Sequence, residues 1–343
     1  MQASIRRVYD SDKTAREQVL ALLEAEGISA DKNLDYTIAV YDEAGQMAAT
    51  GSYFKNTLRC LAVSSKYRGE GLMNLVVSHL RQELAEQGVF DVFMYTKYDA
   101  ARYFGDLGFY TLAEVDREVV FMENSRDAFR RYLNNISRQK AEGERVGAIV
   151  MNANPFTLGH LYLVEQASAQ CDVLHLFVVR EDVSDFPFVV RERLIKAGTQ
   201  HLKNIRYHDT GNYMVSSATF PSYFIQDSQE VTKAHAAVDA AVFAKIAKAL
   251  NINQRFVGDE PFSFATNLYN QTMAERLPQA GIKVNIIKRK EDAGGTAISA
   301  TRVRQKIKEG DLNGLAQLLP PSTLDFLQSE EGSALISKLQ SSK

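Results

Sequence analysis

The sequence predicts an α/β protein of two domains that ends in helices. Three observations carry that expectation. Apolar residues recur at helical spacing in some windows and form short continuous runs in others. Between residues 145 and 287 the two kinds of window alternate, the rhythm of a parallel sheet covered on both faces. Before residue 124, strand-like runs flank short turns and mix with helices. A polar, arginine-rich stretch over 125–143 separates these regions and reads as a connecting helix.

The elements follow in order. Residues 13–26 form a helix with Ala15, Val19, Leu22 and Leu23 on one face. Strands follow over 36–41 and 47–53, around the turn 42–46, and then over 57–63. Residues 71–87 are helical, with Leu72, Leu75, Val76, His79, Leu80 and Leu84 at helix spacing. A strand over 89–96, a short helix over 100–107, and a pairing of 108–112 with 118–121 close the first domain, 1–124. In the second domain, 144–343, strands are expected over 145–151, 173–179, 204–208, 255–257 and 283–287. Helices are expected over 161–169, 190–201, 233–250 and 265–277. A charged, Gly-rich loop over 288–296 leads into helix to the end.

Composition narrows the function classes. The chain has 343 residues, 45% hydrophobic and 24% charged, with a net charge of −2. A general nucleic-acid or membrane-surface binder is usually basic, so neither partner is expected. Cys60 and Cys171 lie in or beside apolar runs and read as buried, reduced thiols. No Cys/His spacing matches a zinc motif. The start MQASIRRVYD has no apolar core, and no apolar stretch reaches bilayer length, so a cytoplasmic protein is expected.

Residues 152–160, NANPFTLGH, carry most of the chemistry. They join a buried strand to a helix start, where backbone N–H groups and a positive dipole end favour a phosphate. Thr157 and His160 stand three residues apart, and Gly159 lets a ligand approach the backbone. A second segment, 298–304, reads ISATRVR after a Gly-Gly loop. Ser299 and Thr301 can cap that helix, and Arg302, Arg304, Lys306 and Lys308 add cations.

The pairing NPFTLGH … ISATRVR resembles the nucleotidyltransferase superfamily with HxGH and ISSTxxR motifs, which includes pantetheine-phosphate adenylyltransferases. Thr157 stands at the first His of the former motif and Ala300 at the second Ser of the latter. The resemblance implies a Rossmann-like parallel sheet over 144–343, with ATP as substrate and Mg²⁺ sharing its charge. It implies catalytic roles for His160, Thr157 and Arg304. It also implies ATP contacts from Asn154, Pro155, Phe156, Gly159, Ser299, Thr301 and Arg302. His160 and Thr157 would face the α- and β-phosphates, and Ser299, Thr301 and Arg304 the β- and γ-phosphates.

Residues 63–73, VSSKYRGEGLM, and 100–109, AARYFGDLGF, resemble motifs of GNAT-type N-acetyltransferases over the first third of the chain. That resemblance implies a GNAT-like fold over 1–124, in which Arg68, Gly69 and Gly71 receive a CoA-like arm. Tyr103 reads equally as an acid or as a packed aromatic.

The order of these two domains, with the wordings MNANPFTLGH, FVVREDVSDFPF and GDEPFSFATNLYN, is similar to the citrate lyase ligase family. This implies acetylation of a thiol with acetate and ATP, through acetyl-adenylate, releasing AMP and diphosphate. The thiol would belong to the dephospho-CoA-type prosthetic group of the citrate lyase acyl-carrier subunit. Two other classes stay open: an adenylyltransferase acting on a phosphorylated acceptor, and a CoA-dependent N-acetyltransferase.

Other residues have two readings each. Residues 212–223 form an acyl pocket or an ordinary crossover. Arg180, Arg191 and Arg193 approach phosphates, or the last two lie on a solvated helix face. Asp259 and Glu260 touch adenine or ribose, or form a solvated turn. His79 reads as a satisfied core residue, and His175, His201, His208 and His235 have no motif context.

Overall fold

A computed structural model describes residues 3–180, 184–214, 220, 223, 225, 228–259 and 264–341. The chain divides into two compact units, Met1–Arg131 with Thr219–Ala241, and Tyr132–Ala218 with Val242–Lys343.

The first unit contains β1 (Ser4–Val8), α1 (Lys13–Ala25), β2 (Tyr36–Tyr41), β3 (Met47–Phe54), β4 (Thr57–Val63), α2 (Leu72–Glu86), β5 (Phe93–Lys97), α3 (Tyr98–Asp106), β6 (Tyr110–Val115) and β7 (Val119–Glu123). They form a seven-stranded sheet of order β1-β2-β3-β4-β5-β7-β6. Only β4 and β5 pair in parallel. Helix α1 buries the four apolar residues expected of it, because their spacing puts them on one stripe. Strand β1 was not expected. It is an edge strand in which Ile5 and Val8 are only partly covered, so its apolar pattern is faint.

The expected second domain ran unbroken over 144–343, whereas Thr219–Ala241 lies with the first unit. Long-range packing explains the difference. Strands β4 and β5 pair only at Thr57–Phe93 and Leu58–Met94. The Tyr95 carbonyl on β5 accepts from the Tyr223 hydroxyl at 2.8 Å, and Phe220 packs edge-on to the Tyr95 ring. Tyr223 also packs among Cys60, Ala62 and Leu23.

Helix α4 (Ala128–Ile136) leads to the second unit. There the order is β8 (Val146–Met151), α5 (Leu158–Ser168), β9 (Val173–Val178), α6 (Phe188–Thr199), β10 (Ile205–Asp209), the C-terminal part, from Val242, of α7 (Ser228–Leu250), β11 (Gln254–Gly258), α8 (Phe264–Arg276), β12 (Lys283–Ile287), α9 (Ala300–Glu309), α10 (Pro321–Gln328) and α11 (Glu330–Ser341). All five strands are parallel, in the order β10-β9-β8-β11-β12. The chain leaves central β8 first to one side and then to the other. That reversal makes a crevice beyond the C-terminal ends of β8 and β11, the usual ligand position in such sheets. Strand β8 is buried along nearly its whole length, which fixes the turn that follows it. Among the described residues no helix is long and apolar enough to cross a membrane.

Candidate active site

The turn after β8 is tied to the rest of its unit by side-chain and backbone contacts. Ala153 takes a left-handed φ of 49°, and Asn154–Pro155 is cis. Phe156 is fully buried, and its carbonyl accepts from the Thr323 hydroxyl of α10 at 2.9 Å. Thr157 then caps α5. This helix begins three residues before the apolar spacing alone suggested, because the cap rather than the periodicity sets its start. The Thr157 hydroxyl accepts from the His160 N–H at 3.3 Å, and the Thr157 N–H donates to His160 Nδ1 at 3.1 Å. This is a capping box with histidine in the place usually held by Glu or Gln.

That box determines the state of His160. Nδ1 accepts a backbone N–H, so the ring proton resides on Nε2. Burial, with the nearby Arg289 cation, pushes the His160 pKa down to about 4. The imidazole is therefore a neutral Nε2–H donor near pH 7.

The two motifs meet through Gly159. A Cβ built there would lie 2.8 Å from the backbone oxygen of Ile298, the residue that opens ISATRVR. Ile298 is positioned by a short antiparallel link, with its N–H on Lys290 O at 3.0 Å and a bridge between Glu291 and Ala297. Ser299 then caps α9, accepting the Arg302 N–H at 3.2 Å. At the α5 start, Leu158 N–H goes to Leu318 O, and nothing among the described residues accepts from Gly159 N–H. At the α9 start, Ala300 and Thr301 N–H are likewise uncommitted among the described residues. Two helix starts with available donors thus lie side by side at the crevice.

The arginines of ISATRVR are held by aspartates. Arg302 pairs with Asp292, whose other oxygen accepts Gly294 and Thr296 N–H and so orders the Gly-Gly loop. Arg304 pairs with Asp185 at 3.0 Å and donates to Asn154 O. Asn154 in turn accepts Phe186 N–H at 2.9 Å through its side chain.

Arg191 does not lie on a solvated face. It is fully buried and donates to the carbonyls of Phe186, Asn152 and Val179 at 2.7–3.0 Å. Carbonyls beyond strand ends lack ladder partners, and a five-donor guanidinium satisfies several at once. Arg193 is exposed and pairs with Glu331, and Arg180 pairs with Asp209. Asp259 is occupied rather than solvated, since it accepts Arg289 N–H at 2.7 Å. Glu260 lies outside the described residues, as do 215–219, 221 and 222 of the proposed acyl pocket.

Arg68, Gly69 and Gly71 lie in the first unit. Arg68 pairs with Glu26 at 2.6 Å. Gly69 and Gly71 have φ of 86° and 76°, and Gly71 begins α2 without any side-chain cap. Tyr103 is half exposed and packs edge-on to Phe104. His79 is only partly buried, and its Nε2 lies 3.1 Å from the Tyr36 hydroxyl.

Sequence reasoning missed Asp185, Arg289 and a buried histidine pair. His175 Nδ1 and His208 Nε2 lie 2.8 Å apart on neighbouring strands. Two histidines on adjacent parallel strands gave no sequence signal. Asp185 was visible only as an acid within FVVREDVSDFPF, and Arg289 only as part of a basic run.

The parallel sheet, the capped turn after its first strand and the adjoining Ser-capped basic helix define a nucleotidyltransferase-like α/β domain. Residues 146–327 match the family described as Citrate lyase ligase C-terminal domain. A citrate (pro-3S)-lyase ligase from Klebsiella pneumoniae is 38% identical, over 92% of this chain and 93% of its own. One from Escherichia coli (strain K12) is 36% identical, over 94% and 93%. The chain belongs to the citrate lyase ligase family. Among solved structures, an acyl-CoA N-acyltransferase from Pseudomonas aeruginosa aligns with 36% of this chain and 100% of its own, at 15% identity and a TM-score of 0.31.

Proposed function

We propose that this chain activates citrate lyase by acetylating the thiol of its acyl-carrier prosthetic group, using acetate and ATP. The observation that carries the chemistry is the contact of Gly159 with the Ile298 carbonyl, which sets two helix starts side by side. An acetate oxygen attacks the α-phosphorus, the bond to diphosphate breaks, and acetyl-adenylate forms. The thiolate of the carrier then attacks the acyl carbon, its proton having gone to solvent. The thioester forms, and AMP leaves with the C–O electrons.

The chain's part is to orient and to stabilise charge. The Gly159, Ala300 and Thr301 N–H groups receive phosphate oxygens. His160 gives its Nε2–H to an oxygen of the α-phosphate, and Thr157 holds that ring through its Nδ1. Asn154, Pro155 and Phe156 shape the turn, and Ser299 orders the second helix start. Arg304 meets the leaving diphosphate, while Arg302 holds the Gly-Gly loop through Asp292. No enzyme nucleophile is required. Burial pushes the thiols of Cys60 and Cys171 up to about 11, far from a reactive thiolate.

Among the described residues no three His, Cys, Asp or Glu side chains group to hold a metal. Mg²⁺ would enter with the polyphosphate and would supply charge neutralisation there. The cytoplasm, which supplies ATP and reduced thiols, is the compartment that fits the reaction. In the first unit, the uncapped start of α2 with Gly69 and Gly71 gives the prosthetic arm's diphosphate a backbone-lined anion site, and Arg68 adds a cation.

The test supplies the chain with ATP, acetate and deacetylated citrate lyase. The carrier subunit gains the mass of an acetyl group and lyase activity appears. Without ATP, or with acetyl-CoA in place of ATP and acetate, neither occurs.

A further inference from the structure

Arg304 is held to the chain by one ion pair and two hydrogen bonds. Nε pairs with Asp185 Oδ2 at 3.0 Å, Nη1 donates to Asn154 O at 2.5 Å, and Nη2 donates to Thr301 Oγ1 at 3.3 Å. Each Nη carries two N–H groups and commits one of them, so one remains on each. Two N–H groups of one planar fork make the bidentate contact that arginine forms with phosphate.

Asp185 is itself clamped from both sides. The preceding Ser184 shares hydrogen bonds with the Asn152 side chain at 3.1 and 3.3 Å. The following Phe186 is fully buried, its N–H held by Asn154 and its carbonyl by the buried Arg191. The same turn that carries Thr157 and His160 therefore fixes the carboxylate that orients Arg304. The ion pair is a quarter to a third exposed, where water screens attraction, so orientation outweighs charge in its effect.

We propose that Asp185 is a positioning residue that fixes the plane of the Arg304 guanidinium, so that its remaining Nη–H pair meets the leaving diphosphate. This rests on the adenylation chemistry proposed above. It goes beyond it by assigning a residue that touches neither ATP nor acetate.

The test compares Asp185→Ala and Asp185→Asn in acetate-dependent exchange of diphosphate into ATP, alongside thermal unfolding. D185A leaves the Arg304 cation in place to bind ATP but misaims its donors, so it lowers kcat by about tenfold with KM for ATP within about twofold. D185N keeps an oxygen acceptor and restores most of kcat. The pair acts through one guanidinium, so D185A added to R304A produces no further loss. Wild-type kcat in D185A overturns the proposal, as does a full additional loss in the double variant. So does a fall in both variants that merely follows a lowered unfolding temperature. Absence of exchange in the wild type removes the adenylation chemistry itself, whereas exchange that ignores Asp185 removes only this assignment.

Discussion

Gly159 lies against the backbone carbonyl of Ile298, with no room for a methyl group between them. The obstacle is backbone, so it cannot swing aside. Gly159→Ala must push the ISATRVR segment away from the TLGH turn. Overpacking of this kind costs about 1–3 kcal/mol. Adenylation falls more than stability does, by about a hundredfold, because a shift near 1 Å suffices for that. Exchange kinetics with calorimetric unfolding of the same variant check both effects.

His160→Ala removes a neutral Nε2–H donor. The loss appears in kcat, about 10²–10³-fold, more than in KM for ATP, because the charge it meets develops during reaction. Its folded pKa is pushed down to about 4. The ring of the free chain is neutral near pH 7, so wild-type kcat/KM for ATP shows no His160 limb near pH 6.5. A limb there that vanishes in the Ala variant would contradict this state.

Arg304→Ala weakens both turnover and ATP binding. Arg304→Lys restores only part, because an ammonium cannot serve Asp185, the Asn154 carbonyl and a phosphate with one planar fork. Steady-state kinetics of the two variants decide it. Full activity with Lys would mean that charge alone matters at this position.

The His175–His208 pair makes stability depend on pH. Burial holds both imidazoles below their usual range, so the folded chain leaves them neutral while the unfolded chain takes up protons below pH 6.5. Stability is full above that pH and declines as pH falls towards 4, by on the order of a few kcal/mol. Urea unfolding at pH 7.5 and 5.0 measures it. Replacing both with Leu makes the dependence shallower, leaving the share of His160, and an unchanged slope would exonerate the pair.

The first unit gives a separable prediction. Gly69 and Gly71 both have left-handed φ, so Gly69→Asp with Gly71→Asp adds strain as well as negative charge. Exchange of diphosphate into ATP stays within a few-fold, about the scatter expected when the adenylating site is untouched. Transfer of acetyl to the carrier thiol falls far more. Mass analysis of the carrier alongside the exchange rate tells the two apart.

Local chemistry made part of this site legible in the sequence. Thr157, His160, Gly159 and Ser299 lie within one turn of their own helix starts, and short-range spacing encodes that. The βαβ rhythm likewise revealed the parallel sheet. Asp185, Arg191 and Arg289 each have a partner 30 or more positions away, and spacing says nothing about those. Arg191 had two readings, a phosphate contact or a solvated helix face, and spacing favoured neither. Thr219–Ala241 was misplaced because Tyr223 finds its acceptor 128 positions back, on Tyr95. The first strand was hidden by its exposure at a sheet edge.

The central claim is that the crevice beyond β8 and β11 forms acetyl-adenylate. It is tested most directly by exchange of labelled diphosphate into ATP, with and without acetate, in the absence of any carrier protein. Acetate-dependent exchange that His160→Ala abolishes is the predicted result. No exchange with acetate, or exchange that requires a phosphorylated acceptor in its place, would contradict it.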